Sequence, residues 1–356
     1  MFSMRILYLA DSKSPHTQKW VRHFVRRGTD VHIASLVDTP IEGATLHPMW
    51  RPTKTKLDYL ANVGFIKKLV RRLKPDILHA HYATSYGLLG ALSGFHPFVI
   101  STWGMDVLGF PETSLLHQRL LRWNLSRSDA VCATSHQLGR ATERYIRNGR
   151  KAIITPFGVD LKNFRSIEKQ NQKDVTVGIV KSLEPKYGVE YLIRAFAAVQ
   201  KNFPHVQLLI VGDGNLFKNL KKLTFALEIA ATTTFIGRVP HQEVPIWLNR
   251  IDIFVNSSVH ASETFGVAVL EASATEIPVI ASHIGGLPEV IEDGITGFLV
   301  PPRDVAALAE KIELLVSDEN LRKRMGRAGR EFVMKNYDWS ENAKIMEQLY
   351  DSLVKT

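Results

Sequence analysis

The sequence lacks several features that would place it in whole classes of protein. Its 356 residues include one cysteine, Cys132, so no disulfide can form within the chain, which suits a reducing compartment. No stretch approaches the roughly 20 apolar residues that a membrane-spanning helix needs. Residues 1–10 carry a single arginine before a short apolar run and no small-residue cleavage site, which favours a first strand over a signal peptide. These absences predict a folded protein of the cytoplasm.

Two further absences concern cofactors. No G-x-G-x-x-G follows the first apolar run, so the sequence does not fit a dehydrogenase that binds a dinucleotide. His79 and His81 lie two residues apart on a predicted strand, but no carboxylate cluster accompanies them. Packing at a strand end is therefore favoured over a metal site.

The positive charge is unevenly distributed. The net charge of the whole chain is +10. Residues 1–169 contain 25 Lys and Arg against 12 Asp and Glu, a net charge of +13, whereas residues 170–356 have a net charge of −3. The N-terminal half therefore favours an anionic partner, either an acidic lipid surface, a phosphate-bearing acceptor or nucleic acid. The nucleic-acid alternative has only the charge in its favour, because no interleaved aromatics and no known binding module accompany it.

Apolar runs alternate with segments of helical period along the whole chain, a pattern that predicts parallel, doubly wound α/β sheets. A polar stretch at 165–174 interrupts the alternation. We predict an N-terminal domain at 1–168, a second domain at 169–338, and a last helix in 339–356 that crosses back onto the first. The predicted strands are 5–10, 31–36, 77–80, 98–101, 130–133 and 153–155, then 175–180, 207–211, 233–236, 251–256, 278–281 and 297–300.

Two carboxylates flank a predicted helix start in the second domain. Glu263 precedes the helix that Gly266 opens, and Glu271 lies within it, so the two are at most roughly 12 Å apart along the helix axis. The free backbone N–H groups of Phe265, Gly266 and Val267 would face an anion such as a diphosphate. One carboxylate could then bind sugar hydroxyls and the other ribose hydroxyls. The alternative is that Glu263 is an ordinary loop carboxylate and Glu271 a surface position of an amphipathic helix, because this spacing alone occurs often by chance.

The segments ETFGVAVLE, EASATEIPVIAS and GGLPEVIEDGITGFLVPPRD resemble the retaining glycosyltransferase family 4, whose fold is GT-B. The resemblance runs from Ile6 to Tyr350 and is strongest in 175–335. It implies two Rossmann-like domains facing a central cleft. It also implies that Glu263 contacts the donor sugar and Glu271 the ribose, which agrees with the binding of sugar and ribose hydroxyls suggested by the two carboxylates.

The resemblance implies further donor contacts. The family has an arginine and, five residues later, a lysine that bind the donor diphosphate, and Lys181 and Lys186 stand at that spacing here. Lysine in place of arginine keeps the charge but loses the bidentate geometry. Arg238 matches a position near the nucleobase. Solvated loop side chains are the alternative for the two lysines, and recognition of the base by the backbone is the alternative for Arg238.

The first domain departs more from the family pattern. His16 lies on the first loop, where many relatives have a glycine-rich turn. Trp103 stands where a family segment often has histidine, which leaves Asp106 as the polar candidate of that segment. The resemblance makes His16 and Asp106 catalytic candidates together with Glu263, Lys181 and Lys186.

Two predicted helices of the first domain, at 57–73 and 137–148, each carry a cluster of basic residues. A solvated helix face is the ordinary explanation of such charge. With the charge of the whole domain, however, peripheral contact with an anionic membrane is the second hypothesis.

The combined prediction is a retaining glycosyltransferase that uses a UDP- or GDP-sugar. No D-x-D motif is present, and positive groups would surround the phosphates, so no metal is expected. The acceptor is predicted to be a lipid-linked or cell-envelope glycan, and the enzyme to lie in the cytoplasm or on the inner face of the membrane. The alternatives are a small soluble acceptor or a nucleotide-sugar epimerase. The carboxylate pair argues against the epimerase.

Overall fold

The computed structural model describes residues 4–147, 149–167 and 174–355. The chain divides into two compact units, Met1–Pro156 with Ala343–Thr356, and Phe157–Asn342. The predicted domain boundary between residues 168 and 169 falls outside the described residues and stays a prediction, as does the boundary predicted at residue 338. Within the described ranges, no helix has both the length and the apolar character of a membrane span.

The described residues of the first unit form a parallel sheet of seven strands. The strands are β1 (Arg5–Leu9), β2 (Asp30–Ser35), β3 (Thr45–Pro48), β4 (Ile77–His81), β5 (Phe98–Thr102), β6 (Ala130–Ala133) and β7 (Ile153–Ile154). Their order across the sheet is β3-β2-β1-β4-β5-β6-β7, the doubly wound arrangement that the sequence predicts. Only β3 is absent from the predicted strands. It is a short edge strand with a proline, and its burial pattern has no alternation.

Helices connect these strands: α1 (Pro15–Arg26), α2 (Leu57–Ala61), α3 (Val63–Leu73), α4 (Ser85–Ser93), α5 (Met105–Leu108), α6 (Leu115–Ser126) and α7 (His136–Glu143). The single helix predicted at 57–73 is therefore two helices separated at Asn62. The helix predicted at 137–148 is shorter than expected, since α7 ends at Glu143 and residue 148 lies outside the described residues.

The core of the first unit lies between the sheet and its helices. Strands β4 and β5 are buried along their whole length, as expected for parallel strands covered on both faces. Ile66, Leu69 and Val70 of α3 pack into this core. The spacing of these three residues is that of one face of a helix, and Lys67, Lys68, Arg71 and Arg72 occupy the exposed positions between and after them.

The C-terminal helix α14 (Trp339–Val354) supplies a buried tyrosine to the first unit. The hydroxyl of Tyr350 lies 3.2 Å from the hydroxyl of Tyr8 and is hydrogen-bonded to Nδ1 of His79. All three side chains are buried, and burial lowers the pKa of His79 to about 3. His79 is therefore neutral, and its two ring nitrogens are hydrogen-bonded to the hydroxyls of Tyr350 and Ser101.

Replacing Tyr350 with phenylalanine is expected to lower the free energy of unfolding by about 1–3 kcal/mol. The change leaves the ring in place but removes a hydrogen-bonding partner from Tyr8 and His79, which stay buried. Urea denaturation measures the difference. The double variant Tyr8→Phe/Tyr350→Phe should lose less than the sum of the single variants, because they share one interaction. A Tyr350→Phe variant as stable as the parent would contradict this assignment.

The described residues of the second unit form a parallel sheet of six strands. The strands are β8 (Thr176–Val180), β9 (Gln207–Val211), β10 (Thr233–Gly237), β11 (Ile253–Asn256), β12 (Val279–Ser282) and β13 (Gly297–Val300). Their order is β10-β9-β8-β11-β12-β13. All six agree with predicted strands to within two residues at either end, because each is a short apolar run bounded by turn residues.

The helices of the second unit alternate with its strands: α8 (Val189–Asn202), α9 (Phe217–Ala226), α10 (Val244–Leu248), α11 (Val267–Ala274), α12 (Val305–Ser317) and α13 (Glu319–Asn336). Leu192, Phe196 and Val199 of α8 pack with Leu308 and Ile312 of α12 in a core that also holds the strand interiors. Both units are therefore doubly wound α/β sheets, which confirms the predicted fold class.

Candidate functional site

The strand order of the second unit locates a crevice. The chain first builds the sheet outward through β8, β9 and β10, then returns to place β11 on the other side of β8. Connections leave β8 and β11 in opposite directions, so a gap opens beyond the carboxyl ends of these two strands, where open α/β sheets bind ligands. Lys181 directly follows β8, and the segment that carries Glu263 follows β11. Residues far apart in the sequence therefore meet at one edge.

Lys181 and Glu263 form an ion pair at this edge. The Lys181 Nζ lies 2.6 Å from Glu263 Oε2, and the two side chains are only 14% and 9% exposed. The ammonium group also lies 4.5 Å from the centre of the Tyr187 ring, which adds a cation–π contact. A charge pair so far withdrawn from water interacts more strongly than a surface pair.

Two polar side chains at and just after the end of β11, Asn256 and Ser258, position the Glu263 carboxylate. The Ser258 hydroxyl donates to Oδ1 of Asn256 at 2.6 Å and lies 3.2 Å from Oε2 of Glu263. Asn256 ends β11, and both Asn256 and Ser258 are buried. The carboxylate is thus positioned by a rigid strand end. Sequence reasoning missed Ser258. The available signal was its place in the polar loop after the strand.

Two glycines allow a second loop to pack against this segment. Gly285 has φ +57°, and a Cβ there would lie 2.2 Å from the carbonyl oxygen of Glu263. At Gly286 a Cβ would lie 2.0 Å from the carbonyl oxygen of Thr264, and its N–H donates to the Glu263 carbonyl at 2.9 Å. Side chains at these positions would displace the loop. The two glycines therefore support Glu263 through the backbone.

Helix α11 begins beside Glu263. Gly266 precedes it with φ +76°, a conformation that glycine adopts without strain. The Phe265 side chain packs inward on Phe157 and Tyr337. In the described part of the chain, the backbone N–H groups of Phe265, Gly266 and Val267 have no hydrogen-bond acceptor. These three donors and the helix dipole form an environment suited to an anion.

Glu271 lies on α11, eight residues after Glu263, and is 7% exposed. Its Oε1 lies 2.8 Å from Nε2 of His241. The His241 ring is 5.7 Å from the ring of Phe164 and 54% of the side chain is exposed. Sequence reasoning missed His241, because nothing in the residues around it distinguishes it from other loop histidines.

The remaining predicted donor residues are exposed. Lys186 follows Pro185 in a single 3₁₀ turn, and its Nζ lies 4.8 Å from the Tyr187 ring that Lys181 also contacts. The two lysines are therefore brought to one aromatic ring. Arg238 directly follows β10 and is exposed.

The predicted residues of the first unit lie at the carboxyl edge of its own sheet. His16 belongs to the first turn of α1 and is half-buried, with its ring 5.8 Å from that of Trp103. Trp103 packs in turn on His81, 4.7 Å away between ring centres. His81 is buried at the end of β4, its Nδ1 is 3.2 Å from Thr17 Oγ1, and burial holds its pKa well below the usual range.

Asp106 has a different environment from the other candidates. It is completely buried, and its carboxylate accepts hydrogen bonds from the backbone N–H groups of Ala83 at 2.8 Å, Trp103 at 3.1 Å and Gly104 at 2.8 Å. Burial raises its pKa, which these bonds partly offset. The contacts hold the loops after β4 and β5 together. A catalytic part for Asp106 stays a prediction.

Metal-binding residues do not gather at either edge. In the part of the chain that the structure describes, no group of three or more His, Cys, Asp or Glu side chains is arranged to hold a metal ion. Lys181, Lys186, Glu263 and Glu271 instead surround the carboxyl edge and the start of α11. Such a site can bind an anion flanked by hydroxyl groups.

Comparison with known proteins agrees with this geometry. The family described as glycosyl transferases group 1 matches residues 160–332, and that described as glycosyl transferase 4-like matches residues 5–135. A GDP-mannose-dependent alpha-(1-6)-phosphatidylinositol monomannoside mannosyltransferase of Mycolicibacterium smegmatis is 32% identical over 318 residues, which cover 84% of this chain and 82% of the relative. An N-acetyl-alpha-D-glucosaminyl L-malate synthase of Bacillus anthracis is 28% identical over 313 residues, covering 81% and 77%.

Solved structures show the same fold. A sucrose-phosphate synthase of Thermosynechococcus elongatus superposes with a TM-score of 0.85 at 21% identity, covering 98% of this chain and 99% of that one. Anabaena HepE in complex with UDP-glucose superposes with a TM-score of 0.81 at 21% identity, covering 98% and 100%. The predicted GT-B fold is confirmed. The matched families and the mannosyltransferase relative show that the chain belongs to the group 1 glycosyl transferases, a family of GT4-like glycosyltransferases.

Proposed function

We propose that the protein is a retaining glycosyltransferase that takes its sugar from a UDP- or GDP-sugar and needs no metal ion. The observation that carries the proposal is the Lys181–Glu263 ion pair beside the unbonded N–H groups at the start of α11. The arrangement offers a cation and three backbone donors to a diphosphate and a carboxylate to the adjoining sugar. The UDP-glucose bound by HepE and the GDP-mannose used by the mannosyltransferase relative support the donor class.

In the proposed reaction the protein acts mainly on the leaving group. Lys181, Lys186 and the start of α11 stabilise the negative charge that develops on the nucleoside diphosphate as the bond to the sugar breaks. Glu263 binds sugar hydroxyls and Glu271 ribose hydroxyls. The acceptor hydroxyl attacks from the face that the diphosphate leaves, and a diphosphate oxygen takes its proton. The configuration at the anomeric carbon is thereby retained.

The acceptor that we propose is a lipid-linked or cell-envelope glycan. The positive charge of residues 1–169 supports it, as does the phosphatidylinositol-linked acceptor in the name of the mannosyltransferase relative. A small soluble acceptor is the second candidate, since L-malate appears in the name of the other relative. A cytoplasmic location, with peripheral attachment to the membrane, belongs to the same proposal.

The test begins with melting temperatures of the purified protein in the presence of UDP, GDP, ADP and their sugars, with and without EDTA. A ligand that binds only the folded state raises the melting temperature, because at a hundredfold excess over its Kd it adds about 2.7 kcal/mol to the free energy of unfolding. We expect one base to be preferred and EDTA to have no effect. The protein is then incubated with the preferred donor and either lipid extracts or organic acids, which identifies the acceptor. NMR of the product's anomeric proton gives the stereochemistry.

Each part of the proposal can fail separately. Stabilisation that disappears with EDTA would exclude the metal-independent reaction. Inversion at the anomeric carbon would exclude retention. An epimeric nucleotide sugar formed without any acceptor would favour the epimerase alternative. No response to any nucleotide would reject the donor site.

A further inference from the structure

A surface of the first unit combines exposed apolar side chains with exposed positive charge. We name it the basic-apolar surface and define it by two sets of residues. Its apolar members are Trp50, Leu57, Leu60 and Phe65. Its basic members are Arg51, Lys54, Lys56, Lys67, Lys68, Arg71, Arg72 and Lys74. All twelve lie within 25 consecutive residues, on the loop before α2, on α2 itself and on α3.

The apolar side chains are unusually open to solvent. Trp50 is 68% exposed, Leu57 64%, Leu60 51% and Phe65 37%. Isolated exposed apolar residues are ordinary, but a group of four large ones on a short segment marks a surface that is covered in use. Leu57 and Leu60 lie three residues apart on α2 and so share a face.

The charge of this surface is of one sign. All eight basic side chains are exposed, and the only acidic residue between positions 50 and 75 is Asp58, which is buried. Among the described residues, none of the eight forms an ion pair with a carboxylate. A solvated helix face typically mixes both signs. The surface is therefore complementary to an extended negative charge.

Buried polar groups fix the loop that carries the apolar side chains. Asn62, at the junction of α2 and α3, accepts a hydrogen bond from Trp50 N at 2.9 Å and donates to Trp50 O at 2.7 Å. Asp58 accepts from the backbone and hydroxyl of Thr53, at 3.0 and 2.7 Å. Because both sides of the loop are bonded, Trp50 is presented outward by a rigid backbone and needs little ordering on binding.

The inward faces of the same helices are already occupied. Ile66, Leu69 and Val70 of α3 are in the core, and the Tyr59 ring of α2 packs edge-on against Tyr86, 5.1 Å away between ring centres. The outward side chains therefore cannot turn into the core without displacing these residues. Their exposure is a consequence of the fold.

We propose that the basic-apolar surface docks the protein on an anionic lipid bilayer. Side chains such as tryptophan and leucine enter the boundary between headgroups and acyl chains, while lysine and arginine remain among the lipid phosphates. The basic side chains could also bind nucleic acid, but Leu57 and Leu60 would then stay exposed to water. A bilayer satisfies both halves of the surface at once, which decides between the two partners.

The docking surface rests on the proposed function through its lipid-linked acceptor, because an enzyme whose acceptor is a lipid must reach the bilayer. Its test measures binding and not sugar transfer. Absence of vesicle binding would therefore overturn the docking surface and leave the donor proposal intact. Absence of nucleotide binding by a protein that still binds vesicles would overturn the donor proposal and leave the docking surface intact.

Co-sedimentation of the full chain with vesicles tests the proposal. Vesicles of phosphatidylcholine alone are compared with vesicles of equal parts phosphatidylglycerol and phosphatidylcholine, at low and at high salt. We expect binding to the anionic vesicles only. The variant Lys68→Gln/Arg71→Gln should bind about 25-fold more weakly, or about fivefold for each charge removed near a lipid surface. Trp50→Ala/Leu57→Ala should bind roughly tenfold more weakly at both salt concentrations.

Matched variants elsewhere on the chain act as controls. Arg324→Gln/Arg327→Gln removes the same charge from exposed positions of α13, and Leu115→Ala/Leu116→Ala removes two leucines of α6 that are 70% and 72% exposed. Both should bind vesicles as the parent does, and all variants should melt at the parent temperature. Equal losses in the control variants would overturn the assignment to this surface. Tighter binding to duplex DNA than to anionic vesicles, unaffected by Trp50→Ala/Leu57→Ala, would overturn the bilayer as the partner.

Discussion

Replacing Glu263 with glutamine is expected to separate nucleotide binding from sugar transfer. Glutamine keeps the size of the side chain but removes the charge that pairs with Lys181 at 2.6 Å. The ammonium group is then free for the diphosphate, so the affinity for UDP or GDP should rise about three- to tenfold. Turnover should fall about 10²- to 10³-fold, because the contact with the reacting sugar is weakened. Isothermal titration and steady-state kinetics measure the two effects.

Lysine variants complete this test. Lys181→Met should weaken nucleotide binding about 10- to 100-fold, since a charge-assisted contact with the diphosphate is lost. The change also leaves Glu263 without its cation, so the melting temperature has to be followed in parallel. Lys201→Met, at an exposed position near the end of α8, serves as the control and should change nothing. If Glu263→Gln and Lys181→Met both weaken nucleotide binding equally, the ion pair is structural and not an exchangeable part of the site.

Removing the Glu271 carboxylate is expected to abolish recognition of the ribose. Glu271→Ala should lower the affinity for the preferred nucleoside diphosphate about 10- to 100-fold, because a charged acceptor of hydroxyl hydrogen bonds is lost. The variant should also bind ribonucleotide and 2′,3′-dideoxyribonucleotide equally, whereas the parent should prefer the ribonucleotide. Titration of both ligands against both proteins measures this difference.

His241 provides the control for this second experiment. It lies 2.8 Å from Glu271 but is half exposed, and ion pairs at such positions contribute about 0–1 kcal/mol. His241→Ala should therefore reduce nucleotide affinity less than about fivefold and keep the preference for ribose. Glu310→Ala, 71% exposed on α12, should have no effect. If His241→Ala and Glu271→Ala behave alike, Glu271 acts through the histidine and not on the ribose.

Ser258 and the glycine pair at 285–286 illustrate how far local sequence reasoning reaches. A serine two residues after a strand and a Gly-Gly dipeptide in a loop are common, and each has a sufficient local explanation as a turn residue. Their relation to Glu263 depends on tertiary geometry: the Ser258 hydroxyl lies 3.2 Å from the Glu263 carboxylate, and the Gly286 N–H donates to the Glu263 carbonyl from a separate loop. No periodicity or propensity encodes such a distance.

The short edge strand β3 and the divided helix at Asn62 show the same limit within the fold itself. Thr45–Pro48 is a strand only because β2 offers it hydrogen-bonding partners. The helical pattern at 57–73 continues through Asn62, whose side chain instead bonds to Trp50 and Asp58. In both places a contact with a remote segment overrides the local preference.

The amino-acid sequence by itself determined the alternation of strands and helices, the doubly wound sheets, the basic first half, and the Glu263–Glu271 motif with its family, because apolar periodicity, charge and short motifs are local properties. The tertiary structure decided which of these groups meet. It brought Lys181 to Glu263 and His241 to Glu271, buried Asp106 among backbone donors, and left Trp50 and Leu57 outside the core. These outcomes depend on strand order and packing, which join residues that are distant along the chain.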